Sequence, residues 1–425
     1  MTRKVPFLLV VIALAWTTVP ATFADPAPTP RIVERVTTKA PFPRGLVMLE
    51  GDLYVLCRGR VRGAGGVTAE IDDQAGTLYV VDPNVTQDIT DDPDAEVREA
   101  VRNNGTVFAR PSDPPFKLWD RASTPPEADR RTDRPYCGLR YHEPTKSFYI
   151  CAFSGVDMPR QPGERSFSKN LTDALLRYDT RTKRWYELER HDPKAGGTYP
   201  HHDPERNPPP HGWLNGPDNL LILGNTLYAV AKDNSRLVKY DLTPLIDDPE
   251  AGPAESEVVL HYRTWMKGDD RPTRLYGHSA LAYRDGYLYV GTRTSSVIFR
   301  IALDDNFQPV DPIVAEVVAR FDPFDPDTGR SADVTDIAFD EQARLYVISA
   351  KPSRVYRFTP DPADVYDARN GREKPWADMA SLTDNPRMKS ENLLYHAGWL
   401  YVTSGDGYGY QEGADGTVYR VKVED

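Results

Sequence analysis

The chain has 425 residues, and its 29 glycines and 38 prolines favour many short strands joined by turns and argue against a helical bundle. Charged residues make up 27% and hydrophobic residues 40%, which excludes wholesale disorder. The formal net charge is −11, so we expect no general attraction to nucleic acid or to an anionic membrane.

The first 24 residues have the pattern of an export signal. Arg3 and Lys4 precede an apolar run over 5–16, and small residues follow as far as Ala24. We therefore expect cleavage before Asp25, a periplasmic or secreted protein, and no membrane span after removal of the signal. An uncleaved anchor is the competing interpretation, because residues 5–24 are just long enough to span a bilayer.

Three cysteines follow in the mature chain, and in an exported protein they can form at most one intramolecular disulfide. Cys137 and Cys151 flank a short predicted hairpin and fall opposite each other on its two strands. The sequence favours a disulfide between them over two buried thiols. The state of Cys57 is left open.

A repeat runs along the chain from residue 45 onwards. Each unit has an apolar strand, a turn, a strand containing Leu-Tyr or a similar aromatic pair, a second turn, and a strand that ends near Tyr-Asp or Tyr-Arg. The equivalent tyrosines are Tyr54, Tyr149, Tyr228, Tyr289, Tyr346 and Tyr401. Segments such as EVVLHYRTW and AEVVARF supply a fourth strand, so each unit predicts a four-stranded antiparallel sheet.

Six such sheets predict an all-β fold, a six-bladed β-propeller. The last unit lacks a fourth strand, and the apolar segment 31–37 is predicted to supply it by pairing with 418–423, which would remove an exposed sheet edge. The propeller then forms a single domain over 25–425, expected to be a monomer.

The connections between the second and third strands are long in blades 1, 2 and 6 and tight in blades 3, 4 and 5. These connections emerge on the face where the innermost strands begin. Because blades 6, 1 and 2 are neighbours, their insertions predict one wall of a cleft. Decoration that only aids solubility is the alternative.

Polar side chains recur where the innermost strands begin. Ten residues before the repeat tyrosine stand Arg44, Asp218, Ser279, Asp336 and Glu391, and Asn219 and Asn392 lie next to two of them. Carboxylates that converge on a narrow tunnel repel each other unless a cation lies between them, and oxygen ligands suit Ca²⁺ first and Mg²⁺ or Mn²⁺ less well. Two alternatives need no metal: the acids cap strand starts, or Asp218 pairs with Arg44 and plugs the tunnel.

Two segments, NGPDNLLILGNTLYAVAKDNSRLVKYDL (215–242) and TDIAFDEQARLYVISAKPSRVYRF (335–358), resemble repeats of the gluconolactonase, senescence-marker-protein and paraoxonase superfamily, and SENLLYHAGWLYVTS (390–404) does so more faintly. The resemblance implies a six-bladed propeller that binds a divalent cation in its tunnel and hydrolyses lactones or related esters. Asn219 or Asp218 matches the family's Asn ligand, and Asp336 matches its Asp ligand. The family's Glu ligand belongs to the first blade, where this chain has Arg44, so Glu391 would have to replace it.

His278 lies one residue from this axial level and is a candidate general base acting on a metal-bound water. A histidine that simply bonds the backbone of a blade is the simpler interpretation.

Basic residues recur four or five positions after the repeat tyrosine, namely Arg58, Lys232, Arg293 and Lys351. On an acidic protein they indicate an anionic ligand, such as a uronate-containing or sulfated sugar, with Tyr276 and Tyr408 available to stack on its rings. Solvated turn residues are the alternative.

These observations favour a divalent-cation-dependent hydrolase of a small lactone or ester. The alternatives are a propeller that binds a glycan or a protein without catalysis, and a polysaccharide lyase that acts on uronate polymers.

Overall fold

The computed structural model describes residues 31–40, 43–57, 61–62, 70–71, 78–88, 106–109, 136–152, 174–190, 214, 216–232, 234–251, 256–322, 331–351, 353–385, 388–406 and 416–424. Residues 32–425 group into one compact unit. The predicted signal, most of the long connections of blades 1, 2 and 6, and the connections at 111–135 and, apart from Leu214 and Gly216, at 191–216 lie outside the described residues. No helix among the described residues has the length and hydropathy of a membrane span.

Six antiparallel sheets form the blades, and the strands of each blade are named here from the innermost outwards. Blade 1 contains Pro43–Leu49, Asp52–Cys57, Leu78–Val81 and Thr106–Ala109; blade 2 contains Tyr136–His142, Ser147–Ala152, Ala174–Asp179 and Arg184–Arg190; blade 3 contains Pro217–Leu223, Thr226–Ala231, Arg236–Asp241 and Ser256–Leu260. Blade 4 contains His278–Arg284, Tyr287–Thr292, Val297–Ala302 and Ala315–Arg320; blade 5 contains Ser331–Phe339, Leu345–Lys351, Ser353–Phe358 and Ala377–Asp378; blade 6 contains Met388–His396, Trp399–Asp406, Gly416–Lys422 and Val33–Ala40.

Short elements complete the described part of the chain. Tyr366–Asp367 and Gln87–Asp88 add a parallel edge to blades 4 and 6. Two small hairpins pair Val61–Arg62 with Glu70–Ile71 and Arg263–Thr264 with Thr273–Arg274. Single helical turns span Pro244–Asp247, Arg369–Gly371 and Met379–Leu382.

The innermost strands contact one another in sequence around the ring, and blade 6 meets blade 1. The predicted closure is confirmed, because Val33–Ala40 pairs antiparallel with Gly416–Lys422 in a register that sets Val33 opposite Val421 and Thr37 opposite Val418. The predicted six-bladed propeller is therefore correct, and the first strand of the chain completes its last blade.

A hydrophobic cluster lies between each pair of neighbouring blades. The repeat tyrosines supply much of this packing: Tyr149, Tyr228 and Tyr346 are fully buried, and Tyr289 and Tyr401 nearly so. The tyrosine recurs in the sequence because it occupies the same packing position in each blade.

The predicted disulfide is absent. Cys137 and Cys151 do lie opposite each other on neighbouring strands, as the hairpin pattern predicted. Both are buried thiols, and so is Cys57. The pairing of the strands was correct, and the covalent bond inferred from it was wrong for this structure.

Removal of the closing strand should expose an edge of blade 6. We expect a variant that begins after Ala40 to self-associate, because the unpaired groups of Gly416–Lys422 would be free to pair with another chain. Size-exclusion chromatography with light scattering measures this. A control that begins at Arg31 should stay a single species, and a monodisperse variant without the strand would contradict the role given to closure.

Candidate functional site: a charged axial network

Every innermost strand departs from regular pairing near its start. One or two residues there have no opposite partner in the register, which is the signature of a β-bulge. These residues are Arg44, Gly138, Asp218, Ser279, Thr335, and Glu391 with Asn392. A bulge redirects a side chain, so the same local irregularity in each blade places a set of side chains on the tunnel axis.

Blade 2 has a glycine at its bulge for a steric reason. Gly138 has φ +62°, and a Cβ at this position would lie 3.1 Å from both the Asp218 carbonyl oxygen and the Asn219 Cα. The backbone of blade 3 therefore approaches closely only because this residue has no side chain.

Four of the axial side chains form a ring of alternating charge. Arg44 Nη1 lies 3.0 Å from Glu391 Oε1, and Arg44 Nη2 lies 3.4 Å from Asp218 Oδ1. Arg293 closes the ring on the other side, with Nη2 3.0 Å from Glu391 Oε2 and Nη1 3.8 Å from Asp218 Oδ2. Lys389 adds a third cation, whose Nζ contacts Glu391 Oε1.

The ring is buried, which strengthens its electrostatics. Only 1% of the Glu391 side chain is exposed, against 8% for Arg44 and 18% for Arg293. Burial opposes ionisation of Glu391, but Arg44, Lys389 and Arg293 together hold its pKa well below the ordinary value. Burial lowers the pKa of Lys389 to about 8 although Glu391 opposes this. Glu391 therefore stays ionised as the centre of the network.

A second level of polar contacts surrounds Asp336, which is fully buried. Its Oδ1 accepts hydrogen bonds from the Asn219 side-chain amide (2.6 Å) and from the Ile337 backbone (2.9 Å). Its Oδ2 accepts from the Leu393 backbone (2.9 Å) and from the Asn392 side-chain amide (3.3 Å). Asp336 thus ties blade 5 to blades 3 and 6.

Burial raises the pKa of Asp336, and the Arg140 guanidinium together with the donated hydrogen bonds opposes that rise. Arg140 also reaches Asn219, with Nη2 3.3 Å from Oδ1. Blade 2 therefore joins the second level through a side chain of its own.

Asp336 does not share the level of Asp218 and Glu391, which corrects the sequence prediction. Register places Ala338 opposite Tyr346 in blade 5 and Leu221 opposite Tyr228 in blade 3. The blade 5 hairpin thus has one more residue between these partners, so counting ten back from Tyr346 stops one residue short of the bulge. Thr335 is the residue equivalent to Asp218, and Asp336 is equivalent to Asn219.

Of the five predicted cation ligands, Asp218, Asn219, Asp336 and Glu391 already have side-chain partners, whereas the buried Asn392 Oδ1 has no hydrogen-bond partner among the described residues. Asp218 and Glu391 are paired with arginines, both oxygens of Asp336 are occupied by N–H donors, and Asn219 Oδ1 accepts from Arg140. Within the described residues no group of His, Cys, Asp and Glu is arranged to hold a metal ion. The contacts match the other interpretation of the sequence, in which Arg44 and Asp218 pair and plug the tunnel.

His278 is fully buried, and its imidazole lies edge-on to Phe299 with ring centroids 5.8 Å apart. Phe299 belongs to the hydrophobic cluster between blades 3 and 4. Burial lowers the pKa of His278 to about 4, so it is neutral near pH 7. Neither ring nitrogen bonds to an axial acid, and its role as general base stays a prediction.

The structure places the four basic residues that were predicted to meet an anionic ligand in different surroundings. Arg293 points into the axial ring instead of into solvent. Lys232 is half-buried, and its backbone N–H donates to the Gly216 carbonyl. Arg58, Tyr408 and the side chain of Lys351 lie outside the described residues.

Two members of the network, Arg140 and Lys389, were not predicted. The signal for Lys389 was its position two residues before Glu391, which puts both on one face of an extended strand. Arg140 could have been found by aligning the blade 2 repeat through Cys137, because Arg140 then lies opposite the repeat tyrosine Tyr149.

Fold and site together define a six-bladed β-propeller whose tunnel is crossed by an ion-pair network. Its structural neighbours include a luciferin-regenerating enzyme (11% identity, 92% of this chain and 95% of that chain, TM-score 0.47). Others are a PQQ-bound aldose sugar dehydrogenase from Streptomyces coelicolor (13%, 94% and 100%, 0.45) and a putative gluconolactonase (12%, 93% and 93%, 0.39).

The propeller fold that the resemblance implied is shown by the six sheets of the chain itself. No protein-family model and no curated protein matches the chain. Identities this low and TM-scores below 0.5 carry no information about chemistry, so what this chain binds has to be judged from its own residues.

Loss of the central acid should be costly. We expect Glu391→Gln to lower the free energy of unfolding by about 3–5 kcal/mol, because it leaves buried cations without their partner. Denaturant titration measures this. The matched control is Glu250→Gln, which removes an exposed pair with Arg184 at 3.1 Å and should cost less than about 1 kcal/mol.

The difference in stability between wild type and Glu391→Gln should also depend on pH. The pKa of Glu391 is lower in the folded than in the unfolded state, so its stabilisation is present above about pH 4.5 and disappears as pH falls through the folded-state value. The stability difference between wild type and Glu391→Gln should therefore shrink as the pH falls below about 4.5. A difference that is independent of pH would contradict the ion-pair network.

The plugged tunnel also predicts the response to chelation. Because a ligand bound only by the folded state raises its stability, removal of a tunnel cation would lower the melting temperature. We expect EDTA to leave the melting temperature of the purified protein unchanged. A fall that is reversed by added Ca²⁺ would show that a cation is bound and would favour the hydrolase predicted from the sequence.

Proposed function

We propose that this protein is a binding propeller that recognises an acidic carbohydrate at the mouth of its tunnel, the face where the innermost strands begin. The observation that carries the proposal is the position of Tyr276, whose side chain is exposed and whose backbone is hydrogen-bonded to the turn that contains Arg293. The proposed binding site therefore lies at the entrance of the tunnel, next to the axial network.

Tyr276 is anchored through its backbone to the turn that contains Arg293. The Tyr276 N–H donates to Ser295 Oγ at 2.8 Å, and the Ser295 N–H donates to the Tyr276 carbonyl at 3.2 Å. The Arg293 N–H donates to the neighbouring Gly277 carbonyl at 2.6 Å. The backbones of Tyr276 and Arg293 thus belong to one hydrogen-bonded turn, while the Arg293 guanidinium pairs with Glu391 and Asp218.

The ring of Tyr276 is also held in place. It stacks on Tyr262, with centroids 5.8 Å apart and an angle of 9° between the planes, yet 37% of Tyr276 stays exposed. An aromatic face that is already fixed loses little conformational entropy when a ligand packs on it. A sugar ring offers a C–H face of suitable shape and polarity.

The charges at the mouth favour an acidic sugar. Arg44, Arg293 and Lys389 share the paired carboxylates of Glu391 and Asp218, and the half-buried Asp333 also acts electrostatically on Arg293. Among these cations Arg293 and Lys389 keep 18% and 16% of their side chains exposed. A ligand carboxylate would therefore meet oriented cationic donors, and charge-assisted hydrogen bonds are among the strong ones.

Calorimetric titration with galacturonate tests the proposal. We expect binding that weakens as salt is raised, because surface charges are screened over about 8 Å at physiological ionic strength. Tyr276→Ala should weaken binding about two- to tenfold, since an aromatic contact is worth about 0.5–1.5 kcal/mol. Leu382→Ala, which changes another side chain that is 37% exposed, should bind like wild type.

Two results would contradict the proposal: no binding of galacturonate, or equal binding of galactose without salt dependence. Appearance of an unsaturated, UV-absorbing product from polygalacturonate would instead favour the polysaccharide lyase among the alternatives. Hydrolysis of a lactone that is abolished by EDTA would favour the cation-dependent hydrolase.

A further inference from the structure

A hairpin between blades 3 and 4 presents two faces of different character. It pairs Arg263–Thr264 with Thr273–Arg274, and we call it the connecting hairpin. Its inner face buries Thr264, Met266 and Leu275. The outward side chains are exposed and consist of two arginines and two aromatic residues, namely Arg263, Arg274, Trp265 and Tyr276.

The two arginines lie directly opposite each other. Arg263 and Arg274 are partners in the antiparallel register, and like charges in this arrangement destabilise a pair of strands. Neither forms an ion pair within the described part of the chain, whereas the exposed Arg184 and Arg372 do. In the protein without a ligand, the repulsion between these two arginines is therefore unfavourable.

Nearby acids do not relieve this repulsion. Asp269 accepts a hydrogen bond from the Thr273 hydroxyl at 2.6 Å, and the basic Lys267 is paired with Glu316 at 2.6 Å. Asp270 lies in the exposed tip beyond them. An anion placed between the two guanidinium groups would remove the repulsion and receive charge-assisted hydrogen bonds from both.

Aromatic rings connect the arginine pair to the tunnel mouth. The Arg263 guanidinium carbon lies 5.4 Å from the centroid of Tyr262, which stacks on Tyr276. Arg274 and Tyr276 are two residues apart on an extended segment, about 7 Å along the strand. On the far side of the pair, Trp265 is 50% exposed. Charged and aromatic groups thus alternate outward from the mouth.

We infer that the connecting hairpin is a second subsite, which binds a further acidic residue of a uronate chain whose first residue occupies the mouth. This inference rests on the proposed function and makes it more specific: the ligand is an oligosaccharide with at least two carboxylates. In this subsite the arginine pair binds a carboxylate of the ligand, and sugar rings pack on Tyr276 and Trp265.

Titration of galacturonate and trigalacturonate against wild type and Arg263→Gln/Arg274→Gln tests the inference. Wild type should bind the trimer at least tenfold more tightly than the monomer, because hydrogen bonds to charged groups are worth about 1.5–3 kcal/mol. The double variant should keep the monomer affinity and lose the gain with the trimer. Lys183→Gln/Lys374→Gln removes two exposed positive charges outside the connecting hairpin and should behave like wild type.

Melting curves give a readout that does not depend on affinity for the mouth. Trigalacturonate should raise the melting temperature of wild type more than that of the double variant. Without ligand the double variant should melt no lower than wild type, because it loses only an exposed repulsive pair; a marked fall would contradict the account of the arginine pair.

The outcomes separate this inference from the proposed function. If the double variant binds the trimer as tightly as wild type and both prefer it to the monomer, the hairpin subsite is wrong and the mouth site stands. If wild type binds the trimer but not the monomer, and the double variant binds neither, the hairpin is the site and the mouth proposal is wrong. If wild type binds neither ligand, both are wrong.

Discussion

The structure depends on the pairing of charges that are buried on the tunnel axis. Glu391 is the most deeply buried acid of the ring, and it is held between Arg44 and Arg293. A buried carboxylate without such partners would be expelled or protonated, so the pairing sets where the innermost strands can lie. Blades 1, 3, 4 and 6 meet in this ring, and Asp336 and Arg140 bring blades 5 and 2 to the next level. Hydrophobic clusters hold neighbouring blades together, while the charges also join blades that are not neighbours, namely 1 with 3 and 4 with 6.

This arrangement has a cost that bears on function. A network that satisfies its own acids leaves them poorly suited to capture a metal ion, because a cation would have to displace guanidinium groups and amide donors that already fit. The groups with unused binding capacity lie further out, where Tyr276 is exposed and the arginines of the connecting hairpin repel each other. The axial acids thus contribute to stability, whereas the proposed binding sites use neighbouring side chains on the same face.

The axial level shows why counting along a sequence is accurate only between identical turns. The hairpins of blades 1, 3, 4 and 6 reverse in two residues, and there the count finds the bulge residue correctly, as for Arg44 and Asp218. In blade 5 the reversal takes the five residues Asp340–Arg344, and the count lands one position late. Since neighbouring residues on a strand point to opposite faces, one position changes both the direction and the partners of a side chain.

The sequence by itself determined the six blades, their four strands and the closure by the first strand, because these follow from the period-2 pattern and from a tyrosine that occupies the same packing position in each unit. It also placed Arg44, Asp218, Asp336 and Glu391 near the axis. Only the tertiary structure decided that the acids are paired with arginines, that Arg293 turns inward, that Cys137 and Cys151 remain thiols, and that Arg263 faces Arg274. The physical reason is that strand patterns depend on contacts local in the chain, whereas a buried charge is governed by partners that the fold brings from other blades, as Glu391 pairs with Arg44 from the opposite end of the sequence.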